Sequence, residues 1–226
     1  MNIQPESADN NGRTTPPSCI VCRSMSVHFF IRAEGRDYYH CQDCQATFLL
    51  PEHRLALTEE HSRYRQHCNH PDDPDYRHFL SRLANPLLGV LGNGKHGLDY
   101  GCGPGPVLAE ILKEHGHRMN LYDPLFFPDQ KALERRYDFI TCTETAEHFH
   151  QPAEEFALFD RLLQPGGWLA VMTCFQTDDT TFANWHYRRD PTHVVFYREE
   201  TFNHLAKLNG WACQFPAKNV VLLYKN

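Results

Sequence analysis

The sequence lacks any apolar run long enough to cross a membrane, and its first eighteen residues lack the basic start and apolar stretch of a secretory signal. The polar, proline-containing composition of residues 1–18 predicts a disordered tail. An excess of positive charge is also missing: the formal net charge is −6, which disfavours general nucleic-acid binding without excluding a local basic patch. We therefore expect a cytoplasmic protein without a membrane partner, whose 226 residues, 41% of them hydrophobic, form one substantial domain with a small appendage.

A full disulfide framework is excluded as well, because the nine cysteines are odd in number. Two CxxC pairs, Cys19 with Cys22 and Cys41 with Cys44, are separated by eighteen residues, the spacing of a zinc ribbon. Four thiolates predict a closed, structural zinc site, with His40 as an alternative ligand that such a site does not need. Two chance pairs or a redox dithiol are the competing interpretations. The cysteine usage fits a reducing compartment.

The chain divides into three parts after the tail. Residues 19–50 contain short β-like runs around the CxxC pairs, and residues 51–94 contain two helical stretches interrupted by HPDDPD. From residue 95 to 226, strand-like and helix-like segments alternate, which predicts an α/β fold with a doubly wound, mainly parallel sheet. The last two segments, WACQFP and NVVLLYK, follow each other without a helix and predict a hairpin with an antiparallel strand at the sheet edge.

The loop LDYGCGPGP (residues 98–106) lies between the first strand and the first helix of the alternating region. Gly101, Gly103 and Gly105 lack a Cβ, so the backbone can turn tightly and approach a ligand. A dinucleotide site of the GxGxxG type requires glycine or alanine where this chain has Pro106.

Two acidic residues narrow the choice of ligand further. Asp99 places a carboxylate beside the ligand, which suits a cationic ligand with an amino-acid end and does not suit a pyrophosphate. Asp123 ends the second strand at the position of an acid that accepts from two ribose hydroxyls, a role common to both kinds of cofactor. The local pattern therefore favours S-adenosylmethionine (SAM).

Four segments in order, LDYGCGPGP, LYDP, YDFITCTETAEHF and LLQPGGWLAVMT, resemble the class I SAM-dependent methyltransferases over roughly residues 95–226. The resemblance implies a Rossmann-like fold and methyl transfer from SAM. It assigns cofactor contacts to Asp99, Tyr100, Gly101, Cys102, Gly103, Gly105, Asp123 and Thr143. Few residues separate Asp123 from the next strand, so the family's third strand and adenine-edge acid are shortened or lost, with Asp129 as a weak substitute. A nucleotide-free α/β domain with a glycine-rich turn is the alternative.

Glu144, Glu147 and His148 follow the next strand in the string ETAEH, and on a helix they would share one face. Two carboxylates and an imidazole form a mixed oxygen and nitrogen cation site. ETAEH resembles ubiquinone-pathway O-methyltransferases and plant-type small-RNA 2′-O-methyltransferases. The second resemblance implies a divalent metal, Mg²⁺ or Mn²⁺, with His193 as a fourth ligand, which would lower the pKa of a substrate hydroxyl and orient it. The alternative is that these residues shape the substrate pocket and cap the next helix.

Further candidates come from two neighbouring segments. The loop NWHYRRDPTH predicts a substrate lid, in which packing and substrate contact are equally good roles for its aromatic residues. Its candidates are Trp185, His186, Tyr187 and His193, and the preceding helices offer Tyr64, His67 and Asn69 for cofactor contacts.

The favoured function is SAM-dependent O-methylation of a small molecule, with metal assistance as an open question. The first rival is an RNA methyltransferase that uses the ribbon to contact RNA, and the second is a non-catalytic binding module that retains the fold. Residues 19–50 carry three basic and three acidic side chains, so the ribbon offers no electrostatic footprint for a phosphate backbone. We expect it instead to cover the active site or to stabilise the N-terminal helices.

Overall fold

The computed structural model describes residues 17–65 and 72–226. The predicted disordered tail therefore lies almost entirely outside the described residues, and so do His67 and Asn69. In chain order the strands are β1 (Val27–Ala33), β2 (Arg36–Cys41), β3 (Thr47–Leu49), β4 (His96–Tyr100), β5 (Arg118–Tyr122), β6 (Tyr137–Thr143), β7 (Leu163–Met172), β8 (Val195–Phe196), β9 (Trp211–Ala217) and β10 (Val220–Lys225). The α-helices are α1 (Leu57–Tyr64), α2 (Pro74–Val90), α3 (Val107–Glu114), α4 (Pro152–Leu162), α5 (His186–Arg189) and α6 (Glu199–Asn209).

The central sheet has six strands in the order β5-β4-β6-β7-β10-β9. The pairs β4–β5, β4–β6 and β6–β7 are parallel, whereas β10 is antiparallel to both of its neighbours. This arrangement confirms the predicted α/β fold with a doubly wound, mainly parallel sheet. Because parallel strands end at the same edge, the loops after β4, β5 and β6 meet there.

The chain ends in the predicted antiparallel hairpin at the edge of the sheet. β10 is antiparallel to both β7 and β9, and β9 is the edge strand. The first four residues of β10 are all buried, while β9 alternates between buried or half-buried and exposed residues. A continuous apolar run suits an interior strand that is covered on both faces, and an alternating run suits an edge strand.

The helices that cover the sheet begin and end at recognisable residues. The carboxylate of Asp73 accepts from the backbone N–H groups of Asp75 and Tyr76, and Pro74 occupies the first turn of α2. α3 is followed by Gly116 in the left-handed conformation, which favours glycine after a helix. Within residues 17–65 and 72–226, no helix is both long and apolar enough to span a membrane.

On the β5 side of the sheet the chain forms only a short bridge between Asp123 and Phe127 and a 3₁₀ turn, Gln130–Glu134. In the described part of the chain no strand pairs with β5 beyond β4, which agrees with the expectation that the family's third strand is shortened or lost. Asp129 accepts from the backbone N–H of Lys131 at 3.0 Å and caps the 3₁₀ turn, which gives this carboxylate a local structural role.

A second sheet, β1-β2-β3-β8, contains the ribbon strands and a strand from the far end of the chain. β3 pairs with β8 in antiparallel register, with Thr47 opposite Phe196 and Phe48 opposite Val195. Phe48, Val195 and Phe196 are fully buried in one apolar core that the ribbon shares with the larger sheet. The ribbon is thus joined to residues 195–196 by backbone pairing and by packing.

Candidate active site

The glycine-rich loop is fixed between β5 and the segment that follows β6. Gly101 and Gly103 have φ angles of 72° and 62°, a region that favours glycine. A Cβ on Gly101 would overlap the side chain of Thr145. The backbone N–H of Gly101 donates to the carbonyl of Tyr122 at 2.8 Å, and the hydroxyl of Thr145 donates to the carbonyl of Gly101 at 3.0 Å. The loop therefore has a defined path with no room for a larger residue at position 101.

Asp123 ties this loop to the end of β5. One carboxylate oxygen accepts from the backbone N–H of Gly103 at 3.0 Å, and the other accepts from Leu125 at 2.9 Å and Phe126 at 3.0 Å. A carboxylate oxygen has two lone pairs, so the oxygen that meets Gly103 can accept a further hydrogen bond from a ligand.

Asp99 lies at the end of β4 and is only 4% exposed. Its carboxylate accepts from the hydroxyl of Thr141 at 2.8 Å. Burial raises the pKa of Asp99 to about 6, the Thr141 hydrogen bond opposes this shift, and the charge of Asp123 adds to it. A ligand cation beside Asp99 would favour the ionised form.

The remaining predicted cofactor residues differ in what they offer. The side chain of Tyr100 points away from the loop: its hydroxyl donates to Glu155 of α4 at 2.5 Å and its ring packs against Phe159. Cys102 donates through its backbone to Tyr122 at 3.3 Å. The hydroxyl of Thr143 is buried and has no hydrogen-bond partner among the described residues, which leaves it for a ligand. Gly105 accepts from the backbone N–H of Val107 at the start of α3.

Glu147 and His148, which follow β6, form a compact group with His193, which lies shortly before β8. One possible ligand atom from each residue lies within 4.8 Å of the others. Glu147 is 1% exposed, and one of its carboxylate oxygens accepts from the hydroxyl of Thr173 at 2.9 Å. The other oxygen, Oε1, is buried without a hydrogen-bond partner in the described residues and lies 3.9 Å from His148 Nε2. A buried carboxylate oxygen in this state can accept from a water or a ligand, or bind a cation.

Both histidines are oriented by backbone carbonyls. His148 Nδ1 lies 3.1 Å from the carbonyl of Thr192, and His193 Nδ1 lies 2.7 Å from the carbonyl of Tyr187. A carbonyl only accepts, so each Nδ1 carries a proton, and in the neutral imidazole the Nε2 presents a lone pair. Burial lowers the pKa of His193, although the charge of Glu147 opposes this, so the neutral form that binds metals is favoured.

Glu144 does not join this group, and the helical spacing assumed for ETAEH is wrong. Glu144 has a φ of 47° and donates its N–H to the carbonyl of Met172 at 2.8 Å, and the following 3₁₀ turn is only Ala146–His148. Glu144 faces a cavity of about 200 Å³. The cavity is lined by Phe79, Arg82, Glu144, Met172, Cys174, His186, Tyr187 and Asn219.

The surroundings of Glu144 change its acidity. Desolvation and the charge of Glu147 raise the pKa of Glu144 to about 8, while Arg82 and a hydrogen bond from Tyr187 lower it. Glu144 keeps an exposed surface towards the cavity, and solvent there offsets part of the shift. The Tyr187 hydroxyl also lies 3.0 Å from the Thr173 hydroxyl, so Tyr187 stands between the two glutamates.

The remaining candidates from the predicted lid and from the preceding helices lie in different surroundings. Trp185 packs against Phe182 and Phe196, whereas the exposed His186 lines the cavity. Tyr64 lies beside the group formed by Glu147, His148 and His193. Its ring is edge-on to the His148 ring, with 5.2 Å between the two ring centroids, and its hydroxyl donates to Glu60 at 2.6 Å.

Three threonines that support the site are absent from the sequence-based assignment. Thr141 holds Asp99, Thr145 holds the glycine-rich loop, and Thr173 holds Glu147. The first two belong to the segment TCTET, in which every second residue is a threonine, but Thr145 lies beyond the end of β6 and after the left-handed Glu144.

The four ribbon cysteines lie together, with all Sγ atoms within 4.8 Å of one another. Cys19–Cys44 and Cys22–Cys41 are separated by 3.6 Å between Sγ atoms, close to the roughly 3.8 Å expected for four thiolates around zinc. All four are free of disulfides. His40 hydrogen-bonds Thr47 and Gln45 instead, so it is not required as a ligand.

The two CxxC turns have the same backbone. Arg23 and Gln45, which follow the second cysteine of each pair, both have a φ of 62°. Their N–H groups donate at 2.9 Å to the carbonyls of Cys19 and Cys41, respectively. The cysteines are thus presented by two equivalent turns, as a tetrahedral site requires.

A sequence model of a methyltransferase domain family matches residues 72–214, which include the glycine-rich loop, Asp123 and the Glu147 group. The chain belongs to this family. It contains a methyltransferase domain with a Rossmann-like sheet, and its cysteine cluster fits a zinc ribbon.

This methyltransferase also resembles curated proteins. A ubiquinone biosynthesis O-methyltransferase of Thiobacillus denitrificans is 31% identical over 104 residues, which cover 35% of this chain and 44% of the relative. One of Coxiella burnetii is 27% identical over 148 residues, which cover 53% and 62%, respectively. The chain thus spans about half the length of these relatives. The 1,6-didemethyltoxoflavin N1-methyltransferase of Burkholderia thailandensis is 19% identical over 83% of this chain and 98% of that protein, with a TM-score of 0.49.

Proposed function

We propose that this methyltransferase transfers the methyl group of SAM to a hydroxyl oxygen of a small molecule, with a divalent ion at Glu147, His148 and His193. The observation that carries the proposal is the arrangement of these three side chains: one nitrogen of each histidine and a carboxylate oxygen of Glu147 lie within 4.8 Å of one another, and Glu147 Oε1 has no hydrogen-bond partner among the described residues. The relatives named O-methyltransferases support oxygen as the acceptor atom.

The residues present fit a metal. A carboxylate and two neutral imidazoles are a common ligand set, and carbonyl partners on the opposite ring nitrogens hold ligating histidines in place. An Mg²⁺ or Mn²⁺ ion bound there would lower the pKa of an acceptor hydroxyl. Thr173 fixes the Glu147 carboxylate, and Tyr64 covers His148 on its open side.

On the cofactor side of the proposed active site, different residues bind different parts of SAM. We assign the SAM amino group to Asp99, the ribose hydroxyls to Asp123, and a further polar contact to the free hydroxyl of Thr143. Since the sulfonium methyl is already electrophilic, the protein needs mainly to align the acceptor oxygen and to exclude water. Thr145 connects the two sides, because it bonds the loop and directly precedes the turn that carries Glu147 and His148.

We assign a structural zinc ion to Cys19, Cys22, Cys41 and Cys44. The separation of the Sγ atoms and the two equivalent turns support this assignment. Four protein ligands leave no open position for a substrate, so the ribbon zinc would stabilise structure and take no part in catalysis.

The test is methyl transfer from radiolabelled SAM to a panel of small phenols and alcohols, with and without a chelator that strips Mg²⁺ and Mn²⁺. We expect label in a small molecule, activity restored by Mn²⁺ or Mg²⁺, and a loss of about 100-fold or more in His193→Ala. His28→Ala is the matched control, because His28 is exposed on the ribbon. Full activity in chelator would contradict the metal assignment. In a parallel assay with RNA added to the panel, label that enters only RNA would contradict the acceptor class.

A further inference from the structure

The ribbon and the candidate metal ligands share a short ladder of backbone hydrogen bonds. The N–H of Leu49, at the end of β3, donates to the carbonyl of Val194 at 2.9 Å, and the N–H of Val194 donates to the carbonyl of Glu147 at 2.9 Å. Val194 directly follows His193, and the carbonyl of Thr192 orients His148. Residues 192–196, which include the candidate ligand His193, therefore contact the ribbon on one side and Glu147 and His148 on the other.

A buried arginine makes a second connection between the ribbon and this region. Arg188 is 1% exposed, although its guanidinium is always charged. Its Nη1 lies 3.2 Å from a carboxylate oxygen of Glu34, in the turn between β1 and β2, and its Nη2 donates to the carbonyl of Ala183 at 2.7 Å. Its guanidinium carbon lies 6.0 Å from the ring centroid of Tyr38 on β2. Arg188 adjoins Tyr187, whose carbonyl orients His193.

The ion pair between the buried Arg188 and Glu34 contributes little to the free energy of unfolding. Glu34 is mostly exposed, and an ion pair with an exposed partner contributes little, whereas burying a guanidinium is costly. The cost is understandable if Arg188 fixes the position of α5 relative to the ribbon.

Packing on the same side is aromatic. Tyr38 of β2 lies 5.0 Å from Phe182 and 6.1 Å from Phe196, between ring centroids, and all three residues are fully buried. A close-packed boundary of this kind transmits a displacement of the ribbon instead of absorbing it.

We propose that the cysteine ribbon is a structural part of the active site: β3 and Arg188 position residues 187–194 so that Glu147, His148 and His193 can bind one divalent ion. The proposal rests on the proposed metal-assisted function. Arg188 is a positioning residue in this account, because it acts through Tyr187 and His193. The glycine-rich loop has none of these contacts and stays intact when the ribbon is weakened.

Two independent variants of the full, zinc-loaded chain test this. Cys22→Ser weakens the ribbon at its half-buried cysteine, with Cys213→Ser on β9 as the control. Arg188→Met removes the buried charge, with the exposed neighbour changed in Arg189→Met as the control. The readouts are amide hydrogen exchange at Val194, Mn²⁺ binding by electron paramagnetic resonance, and SAM affinity by calorimetry.

We expect Val194 exchange to accelerate at least about 10-fold in Cys22→Ser and Arg188→Met. The Mn²⁺ affinity should fall by about 10- to 100-fold, while SAM affinity and both controls stay unchanged. Unchanged Val194 exchange and Mn²⁺ affinity in both variants would overturn the proposal. If Cys22→Ser loses SAM binding because it does not fold, the Arg188 pair decides. A wild-type chain that binds no Mn²⁺, but whose Val194 exchange responds, would overturn the metal assignment and leave the positioning role standing.

Discussion

The two sides of the proposed active site, the cofactor side and the acceptor side, are built in different ways. The cofactor side consists of β4, β5 and the loop after β4, which lie within residues 96–127 and bond to one another through their backbones. The acceptor side is assembled from residues 143–148, residues 187–196 and the ribbon, which are far apart in the chain. A site made from neighbouring segments can be derived from local sequence patterns, whereas a site made from distant segments depends on packing that local patterns do not contain.

The largest expected effect separates two glycines of the cofactor loop. Gly101→Ala forces a Cβ into Thr145 at a φ of 72°, and we expect SAM affinity to fall by about 100-fold or more. Gly103→Ala has a similar φ, but no described atom lies within 4 Å of the new Cβ, so only about 1 kcal/mol of backbone strain applies. Calorimetry with SAM measures both. Equal losses in the two variants would mean that the close approach to Thr145 is unimportant.

A pair of threonines sharpens the comparison between the two sides. Thr173→Val removes the hydrogen bond to Glu147, and we expect Mn²⁺ affinity to fall by about 10- to 100-fold with SAM affinity unchanged. Thr141→Val removes the hydrogen bond to Asp99, and we expect the reverse, a loss of about 10-fold in SAM affinity with Mn²⁺ affinity unchanged. If each variant weakens both ligands equally, the two sides are not independent.

The smallest effect is a dependence on pH. Because burial raises the pKa of Asp99 to about 6, this carboxyl is protonated in the folded protein at pH 5 and ionised at pH 7. A SAM amino group needs the ionised form, so SAM affinity should rise by about 10-fold between pH 5 and pH 7. Asp99→Asn should bind SAM weakly and without this pH dependence.

The raised pKa of Asp99 also makes the free energy of unfolding depend on pH. Between about pH 4 and pH 6 the folded chain holds a proton on Asp99 that the unfolded chain has lost, so this group makes the unliganded protein less stable as the pH rises. Thermal unfolding without SAM should show this decrease in the wild type and a flatter profile in Asp99→Asn. If the unfolding temperature changes with pH in the same way in the wild type and in Asp99→Asn, the buried environment assigned to Asp99 is contradicted.

Much of the fold followed from sequence because the signals were local. Alternating strands and helices predicted the parallel sheet, the glycines and Pro106 predicted the loop, and the two CxxC pairs predicted the cysteine cluster. The terminal hairpin was a local signal too, although such a signal does not say which of its two strands joins the sheet. The buried run at the start of β10 marks it as the inner strand.

The acceptor side was predictable in its residue types and not in its geometry. Glu147, His148 and His193 were named from sequence and do lie together. Glu144 was grouped with them on the assumption of a helix, but its left-handed φ and its bond to Met172 place it outside the turn. The pairing of β3 with β8 leaves no periodic trace in the sequence, so the connection of the ribbon to His193 was visible only in the fold.

The most direct test of the account is a crystal of the full chain grown with SAM and Mn²⁺, measured for the anomalous signal of manganese. We expect one peak at about 2.0–2.3 Å from Glu147 Oε1 and from the Nε2 atoms of His148 and His193, with Glu144 outside the coordination sphere. A peak that involves Glu144 in place of Glu147, or no manganese at this group, would contradict it.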